Sequence, residues 1–241
     1  YTFHKQDQSV SNRSRALIRA SQAGQLEAVK ILVENEADMD YVDQDDGTPM
    51  MVAAEDGHIS IVNYLHQQGA DYHQSWEIAT SWGRAKVLKV FLEQGIASQP
   101  DLNESLLSAA KEDDPVAVQV LLEAKAEVNT RDDQTSETPL MRAAQNMNEY
   151  FALCSAEHLL KHGAALEMRD LEGQTALLHL AREGRVGGFR ALVEAGADAT
   201  ACDNNRRTAL MWFTTHGCAD VIKDFVASHQ QVIGENNPKG E

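Results

Sequence analysis

Positive charge is scarce in this chain. Against 37 Asp and Glu residues, the 241 positions hold only 21 Lys and Arg, which leaves a formal net charge of −16. A field of that sign repels nucleic acid and anionic membrane and suits a basic partner. An acidic surface also simply keeps a protein in solution. Aromatic residues make up only 6%, few for a large enzyme. Cysteine is rarer still: Cys154, Cys202 and Cys218 are odd in number and widely spaced. They form no disulfide framework and point to a reducing compartment, the cytoplasm, or a host cytoplasm for a delivered effector. No apolar run approaches the ~20 residues of a membrane span, and no signal peptide is recognisable, so no membrane insertion is expected. A Gly-rich phosphate cradle and a His-Glu-x-x-His pair are both missing, so no cofactor and no metal are expected. The chain opens on Tyr1 rather than methionine, which reads as a processed or partial chain and leaves room for a further domain outside it.

What is present is repetition. The stretch GTPMMVAAEDGHISIVNYLHQQGAD runs from Gly47 to Asp71. Its opening, Thr48-Pro49-Met50, is echoed by Thr138-Pro139-Leu140, Thr175-Ala176-Leu177 and Thr208-Ala209-Leu210. Its close, Gly69-Ala70-Asp71, is echoed by Glu36-Ala37-Asp38, Lys125-Ala126-Glu127, Gly163-Ala164-Ala165 and Gly196-Ala197-Asp198. Thr208 stands 33 positions after Thr175, Gly69 33 after Glu36, and Gly196 33 after Gly163. A fixed period of this size marks a stacked array.

Each unit reads as two short helices. In the clearest one, Thr48 is the N-cap and Pro49 takes the first helical position, where its missing N–H costs nothing. Met50, Ala53 and Ala54 form an apolar face, and Gly57 ends the helix. Ile59, Ile61, Val62 and Leu65 line a second helix, ended by Gly69. Neither is long enough to persist alone, so stacking on neighbours must supply the burial.

The recurring pattern Gly-x-Thr-Pro-Leu-x-x-Ala-Ala-x-x-Gly-His-x-x-Ile-Val-x-x-Leu-x-x-x-Gly-Ala-Asp resembles the ankyrin-repeat family, over roughly residues 14–228. The resemblance implies an all-α solenoid of about seven helix-turn-helix units joined by short β-turn fingers. The units are approximately 14–41, 42–73, 74–99, 100–129, 130–167, 168–200 and 201–228. Residues 1–13 and 229–241 are polar flanks, expected to fray.

The pattern breaks in the middle, in units three to five. Units three and four lack Thr-Pro-Leu. Gly95 follows Gly69 by only 26 positions, so unit three has lost its finger. Trp76 takes its buried leucine position, and Trp82 an outward one. Unit four has Asp113-Asp114-Pro115 in place of Gly-His. Unit five carries an insertion near Gln145–Tyr150, expected to lengthen its inter-helix turn and, with the lost finger, to bend the array. The family's histidine after Thr-Pro-Leu is replaced by Met51, Met141, Leu178 and Met211, which removes a polar bond from the fingers. Drift within a solenoid and a site shaped for a partner both account for such irregularity.

The histidines all have repeat-level explanations, with His179 and His216 on helix surfaces, so no catalytic set is expected. The acidic run Asp38, Asp40, Asp43, Asp45 and Asp46 lacks the glycine and terminal glutamate of a calcium loop and reads as a solvated finger. The resemblance implies binding along a concave face made of finger tips and first helices. Mapped unit by unit, that face is Asp45, Asp46, Glu55 and Asp56, then Ile78 and Trp82, Lys111, Arg142 and Asn146, His179 and Arg182, and Trp212 and His216. Trp82 and Trp212 are the candidate anchors, exposed tryptophan being a frequent interface residue. Asn129, in Leu121–Asn129, resembles an asparagine hydroxylated in some ankyrin proteins, and equally suits a structural role in its loop. The expected function is a monomeric, non-catalytic module that binds a basic protein. An inhibitor or immunity-type protein, and an accessory domain of a larger enzyme or effector, are the alternatives.

Overall fold

The computed structural model describes residues 2–43, 47–112, 114–146 and 149–224, with side chains for 11–43, 47–112, 114–146 and 153–224. The helices come in pairs. Unit one is α1 (Thr2–Gln22) and α2 (Leu26–Glu34), and unit two is α3 (Pro49–Glu55) and α4 (Ile59–Gln67). Units three and four are α5 (Tyr72–Ser81) with α6 (Ala85–Glu93), and α7 (Gln99–Lys111) with α8 (Pro115–Glu123). Units five and six are α9 (Pro139–Gln145) with α10 (Glu149–Lys161), and α11 (Ala176–Arg182) with α12 (Val186–Glu194). Unit seven is α13 (Ala209–His216) followed by the helical residues 219–224. Among the described residues there is no strand, only single bridges closing two fingers, Asp43 with Gly47 and Cys202 with Thr208. The chain is an all-α repeat fold. It divides into two compact bodies, 1–109 with 119–126, and 110–118 with 127–241.

The local chemistry explains the helix starts. Thr48, Thr138 and Thr175 are extended and accept the amide of the third helical residue, Met51 at 3.2 Å, Met141 at 3.4 Å and Leu178 at 3.4 Å. Each bond satisfies an amide that the helix itself leaves orphaned. Where the family's histidine is replaced by Met141, the sulfur accepts the Thr138 N–H at 3.4 Å. The bond expected to vanish is thus replaced by a weaker one.

Helix ends require a left-handed residue, and glycine takes it at Gly57 (φ 78°) and Gly69 (φ 90°). In units one and four the position corresponding to Gly69 falls to Glu36 (φ 61°) and Lys125 (φ 70°), side chains that tolerate this conformation poorly. Each helix buries one face. Leu17, Ile18, Met50, Ile61, Leu65, Leu88 and Phe91 are sealed in the first body, and Leu140, Leu178 and Phe213 in the second. First helices pack on first helices, α1 on α3 in one body, α9 on α11 and α11 on α13 in the other.

Two expectations need correction. Residues 2–13 are not a frayed flank but the front of α1; the tail 229–241 lies outside the described residues. The insertion in unit five does not lengthen the inter-helix turn. Three residues separate α9 from α10, as three separate α3 from α4. Instead α10 is 13 residues long against 9 for α4, and the finger before Thr138 gains one residue. A four-residue addition is about one helical turn, which extends the helix without rotating its buried face far. Unit three has indeed no finger: Gln68–Asp71 joins α4 directly to α5, and Asp71 caps α5 through the amides of His73 and Gln74.

Lys125→Gly should relieve backbone strain and stabilise the fold by about 0.5–1 kcal/mol, net of the greater freedom of glycine in the unfolded chain. A rise in the urea midpoint is expected; a fall would show that the lysine side chain contributes more than the strain costs.

Candidate partner-binding surface

In the first body the acidic candidates fare unequally. Asp45 and Asp46 lie outside the described residues. Glu55 ends α3 and holds Arg84 at 2.6 Å, while its carbonyl accepts from Lys86. Its charge is largely answered within the chain. Asp56 is exposed and Ile78 half-buried. Trp82 caps the C-terminus of α5 and is 38% exposed. The Arg84 guanidinium lies 5.9 Å from its ring centre, and the ring edge rests near Gly47.

Beside Trp82 the same helix forms a groove that sequence reading missed. α5 offers Trp76, Glu77, Thr80 and Ser81, and α7 offers Asp101, Glu104, Ser105 and Ser108, around a space of about 240 Å³. The offsets of three and four residues place each set on one helical stripe. Trp76 is buried as expected, and its indole N–H donates to Ser105 Oγ at 2.5 Å. Asp101 accepts from the Ser98 amide and hydroxyl and stands 3.1 Å from His73 Nδ1. Burial pushes the Asp101 carboxyl up, but the Ser98 bonds and His73 outweigh it and hold it below the usual range. The available signal was the run of hydroxyls and carboxylates on α7 where a stacked helix would be apolar.

In the second body two candidates are inaccessible. Asn146 is buried, and its amide donates to the Lys111 carbonyl at 3.2 Å; the Lys111 side chain itself is exposed. His179, expected on a helix surface, is 1% exposed. Its Nε2 meets Asp170 Oδ2 at 2.8 Å, and its Nδ1 lies 3.3 Å from Gln145 Nε2. Gln145 Nε2 also donates to Glu137 at 2.6 Å. An amide nitrogen has only donors, so Nδ1 accepts from Gln145 and Nε2–H donates to Asp170. Both corrections have one cause. Helical periodicity assigns a residue to a stripe but not to the depth at which the next unit covers it.

Arg142 is spoken for by Asp132 at 2.8 Å and Glu137 at 3.5 Å, and Arg182 by Gln174 at 2.9 Å and Glu183 at 3.3 Å. Trp212 is half-buried under Arg207, 4.6 Å from ring centre to guanidinium, and its indole N–H is buried without a hydrogen-bond partner. His216 is exposed at one edge, while its Nε2 bonds the Arg182 carbonyl at 2.7 Å. Asn129 accepts the Ala165 amide at 2.8 Å and reaches the Gly163 carbonyl at 3.4 Å. It ties its own loop to the next.

Glu137, Asp170 and His179 bring three ligand-type atoms within 4.8 Å of one another. They are a possible set of metal ligands by composition, but each is already engaged, with Gln145, Arg142 or a backbone amide. In the structure their bonds tie the fingers of units five and six to α9 and α11. Asp132, Asp170 and Asp203 recur at the base of successive fingers. Burial raises each carboxyl; backbone amides with Thr135, His179 or Arg207 more than reverse it, and all three sit below the usual range. Arginines link the fingers: Arg131 donates to the Arg169 carbonyl at 2.9 Å, and Arg169 to the Cys202 carbonyl at 2.6 Å.

Comparison with known proteins agrees with this architecture. The family model described as ankyrin repeats (3 copies) matches residues 2–75, 106–201 and 140–237, and the chain belongs to the ankyrin-repeat family. It is 26% identical over 227 residues to the ankyrin repeat and KH domain-containing protein mask-1 of Caenorhabditis elegans, covering 94% of this chain and 6% of that protein. It is 27% identical over 169 residues to an L-asparaginase of Dirofilaria immitis, covering 70% of this chain and 24% of that one. The chain therefore spans a small part of these relatives' length. Among solved structures, the ankyrin-repeat domain of Bcl-3 aligns with a TM-score of 0.63 at 24% identity, over 82% of this chain and 92% of that chain, and shows the fold.

Two outcomes are expected from the finger carboxylates. Asp170→Ala leaves His179 and the Gln174 amide without their acceptor and should cost about 3 kcal/mol in urea unfolding. A carboxyl held below its unfolded pKa of ~3.9 contributes stability that is whole above that value and is lost as pH falls through the folded one. Urea midpoints should therefore drop below about pH 4, and Asp203→Asn should shrink that drop; an unchanged drop would remove Asp203 from the account.

Proposed function

We propose that the chain is a binding module for a basic protein, acting as a monomer and without catalysis of its own. Ankyrin repeats are protein–protein interaction modules, which sets the class. The finer reading rests on one observation above others. Trp82, a large aromatic residue, stands exposed at the unit that has lost its finger, beside a groove walled by carboxylates. An accessible tryptophan beside charge supplies an anchor and an attraction in one place. The net charge of −16 draws a cationic partner from a distance.

Asp56, Trp82, Lys111 and His216 are the accessible members of the candidate face. Glu55, Arg142 and Arg182 take part through the ion pairs they already hold, and the finger carboxylates Asp45 and Asp46 add charge. Trp212, half-buried under Arg207, contributes the accessible part of its ring. Asn146 and His179 are dropped as contacts because they are buried. No helix among the described residues is long and apolar enough to cross a membrane, and a cytoplasmic setting agrees with three free cysteines. A second reading, an accessory domain of a larger enzyme, is favoured by the asparaginase relative, of which this chain matches about a quarter.

The immobilised chain should retain one dominant basic protein from lysate at low salt and release it as salt rises. Trp82→Ala should weaken that partner's affinity by about tenfold or more. Equal retention by Trp82→Ala and Trp212→Ala chains would remove the anchors, and retention of no basic protein would overturn the reading.

A further inference from the structure

We propose that His179, Glu137 and Gln145 form a binding site for a single zinc ion, with Asp170 as the residue that positions the histidine. The site lies within the second body, where the finger of unit five meets α9 and α11. Its centre is the His179 ring. Nε2–H donates to Asp170 Oδ2 at 2.8 Å, and both side chains are 1% exposed. That bond fixes the ring and turns the Nδ1 lone pair the other way, toward Gln145 at 3.3 Å. A histidine that ligates a metal through one nitrogen commonly donates from the other to a carboxylate, which sets the ring's orientation and raises its basicity as a ligand. Asp170 is itself held: its Oδ1 accepts the Gln174 amide at 2.7 Å, so the oxygen facing His179 is not free to turn away.

The Gln145 amide marks the place of the ion. Its nitrogen donates to Glu137 Oε1 at 2.6 Å and lies 3.3 Å from His179 Nδ1, so one electropositive group already bridges the two lone pairs. The ligand-type atoms of Glu137, Asp170 and His179 all lie within 4.8 Å of one another. Turning the amide over puts its oxygen where its nitrogen stands. An imidazole, a carboxylate and an amide carbonyl then aim lone pairs at one point, which a cation reconciles. Arg142 does not take that place. It approaches the other carboxylate oxygen, Glu137 Oε2, at 3.5 Å and bonds Asp132 at 2.8 Å. Glu137 and Gln145 are half-buried, which opens the site to solvent on their side, while His179 and Asp170 are sealed. One nitrogen and two oxygens suit zinc, which accepts both atom types and completes a four-coordinate shell with water. Magnesium demands an octahedron of oxygens and gives up its waters reluctantly. Bound zinc joins the finger of unit five, α9 and α11 through one centre, so loading strengthens the contact between units five and six.

The full chain, stripped with a chelator, is titrated with zinc chloride while nitrogen NMR follows the imidazole rings and urea unfolding follows stability. The Nδ1 resonance of His179 should shift and saturate at one zinc per chain, and the urea midpoint should rise with zinc. Magnesium chloride should move neither. Glu137→Gln and Gln145→Leu each remove a ligand atom and should weaken the zinc response by about tenfold or more. Asp170→Asn keeps an acceptor for Nε2–H but loses the carboxylate charge, and should weaken the response by about tenfold while His179 still shifts. Amide spectra of the variants show whether each is folded, and the titration of the unaltered chain decides the question without them. No shift at His179 with zinc in excess overturns the site. Saturation confined to exposed histidines such as His73 does the same. Equal zinc affinity in the unaltered chain and in folded Glu137→Gln, or an equal response to magnesium, also overturns it.

Discussion

Every helix in this chain depends on burial against a neighbour. Most run seven to nine residues, below the length at which a helix persists in water. Nucleation is unfavourable and the hydrogen bonds of so short a helix do not offset it, so the apolar face must be covered by the next unit. That dependence explains the alanines. Ala53, Ala54, Ala143, Ala144 and Ala181 are sealed at the contacts between first helices, where larger side chains would hold the axes apart. It also explains why the threonine caps recur: a two-turn helix has no interior, and each orphan amide satisfied is a large share of its polar needs.

Covering faces are not enough where the fingers leave the helices. There the second body uses polar links in series. Asp132, Asp170 and Asp203 gather backbone amides within their own fingers, and Arg131 and Arg169 reach across to the next. The His179–Asp170 pair joins this system from the helix side. A buried hydrogen-bonded pair of this kind adds little net stability over an apolar replacement, but breaking it is costly, so it specifies arrangement more than it strengthens it.

Much of this was legible in the sequence because the signals are local. A threonine before proline and a glycine in the left-handed region each act within a few positions. The period of 33 then multiplied the evidence for each. The depth at which a residue sits was not legible. His179 and Asn146 lie on stripes that a free helix would show to solvent, and only the neighbouring unit buries them. The insertion in unit five could enter turn or helix with the same spacing; Glu149–Lys161 is all helix because it contains no glycine or proline to stop it. Trp82 was placed correctly as exposed, yet the groove next to it was missed, since it needs residues 77 and 104 from two units brought face to face.

The irregular centre then has a physical logic. A finger fills the step between one unit and the next. Where α4 runs straight into α5 through Gln68–Asp71, that filling is absent, and the faces of α5 and α7 keep polar residues that stacked faces elsewhere have exchanged for alanine. Glu77 and Glu104 are exposed and add nothing to the apolar core. Ser105 does contribute, by accepting from the buried Trp76 indole, and Thr80 by donating to the Trp76 carbonyl. The groove therefore combines a floor that folding requires with walls that folding does not. Features of the second kind mark the places where a sequence departs from its own best packing, and such departures concentrate where a protein meets another molecule.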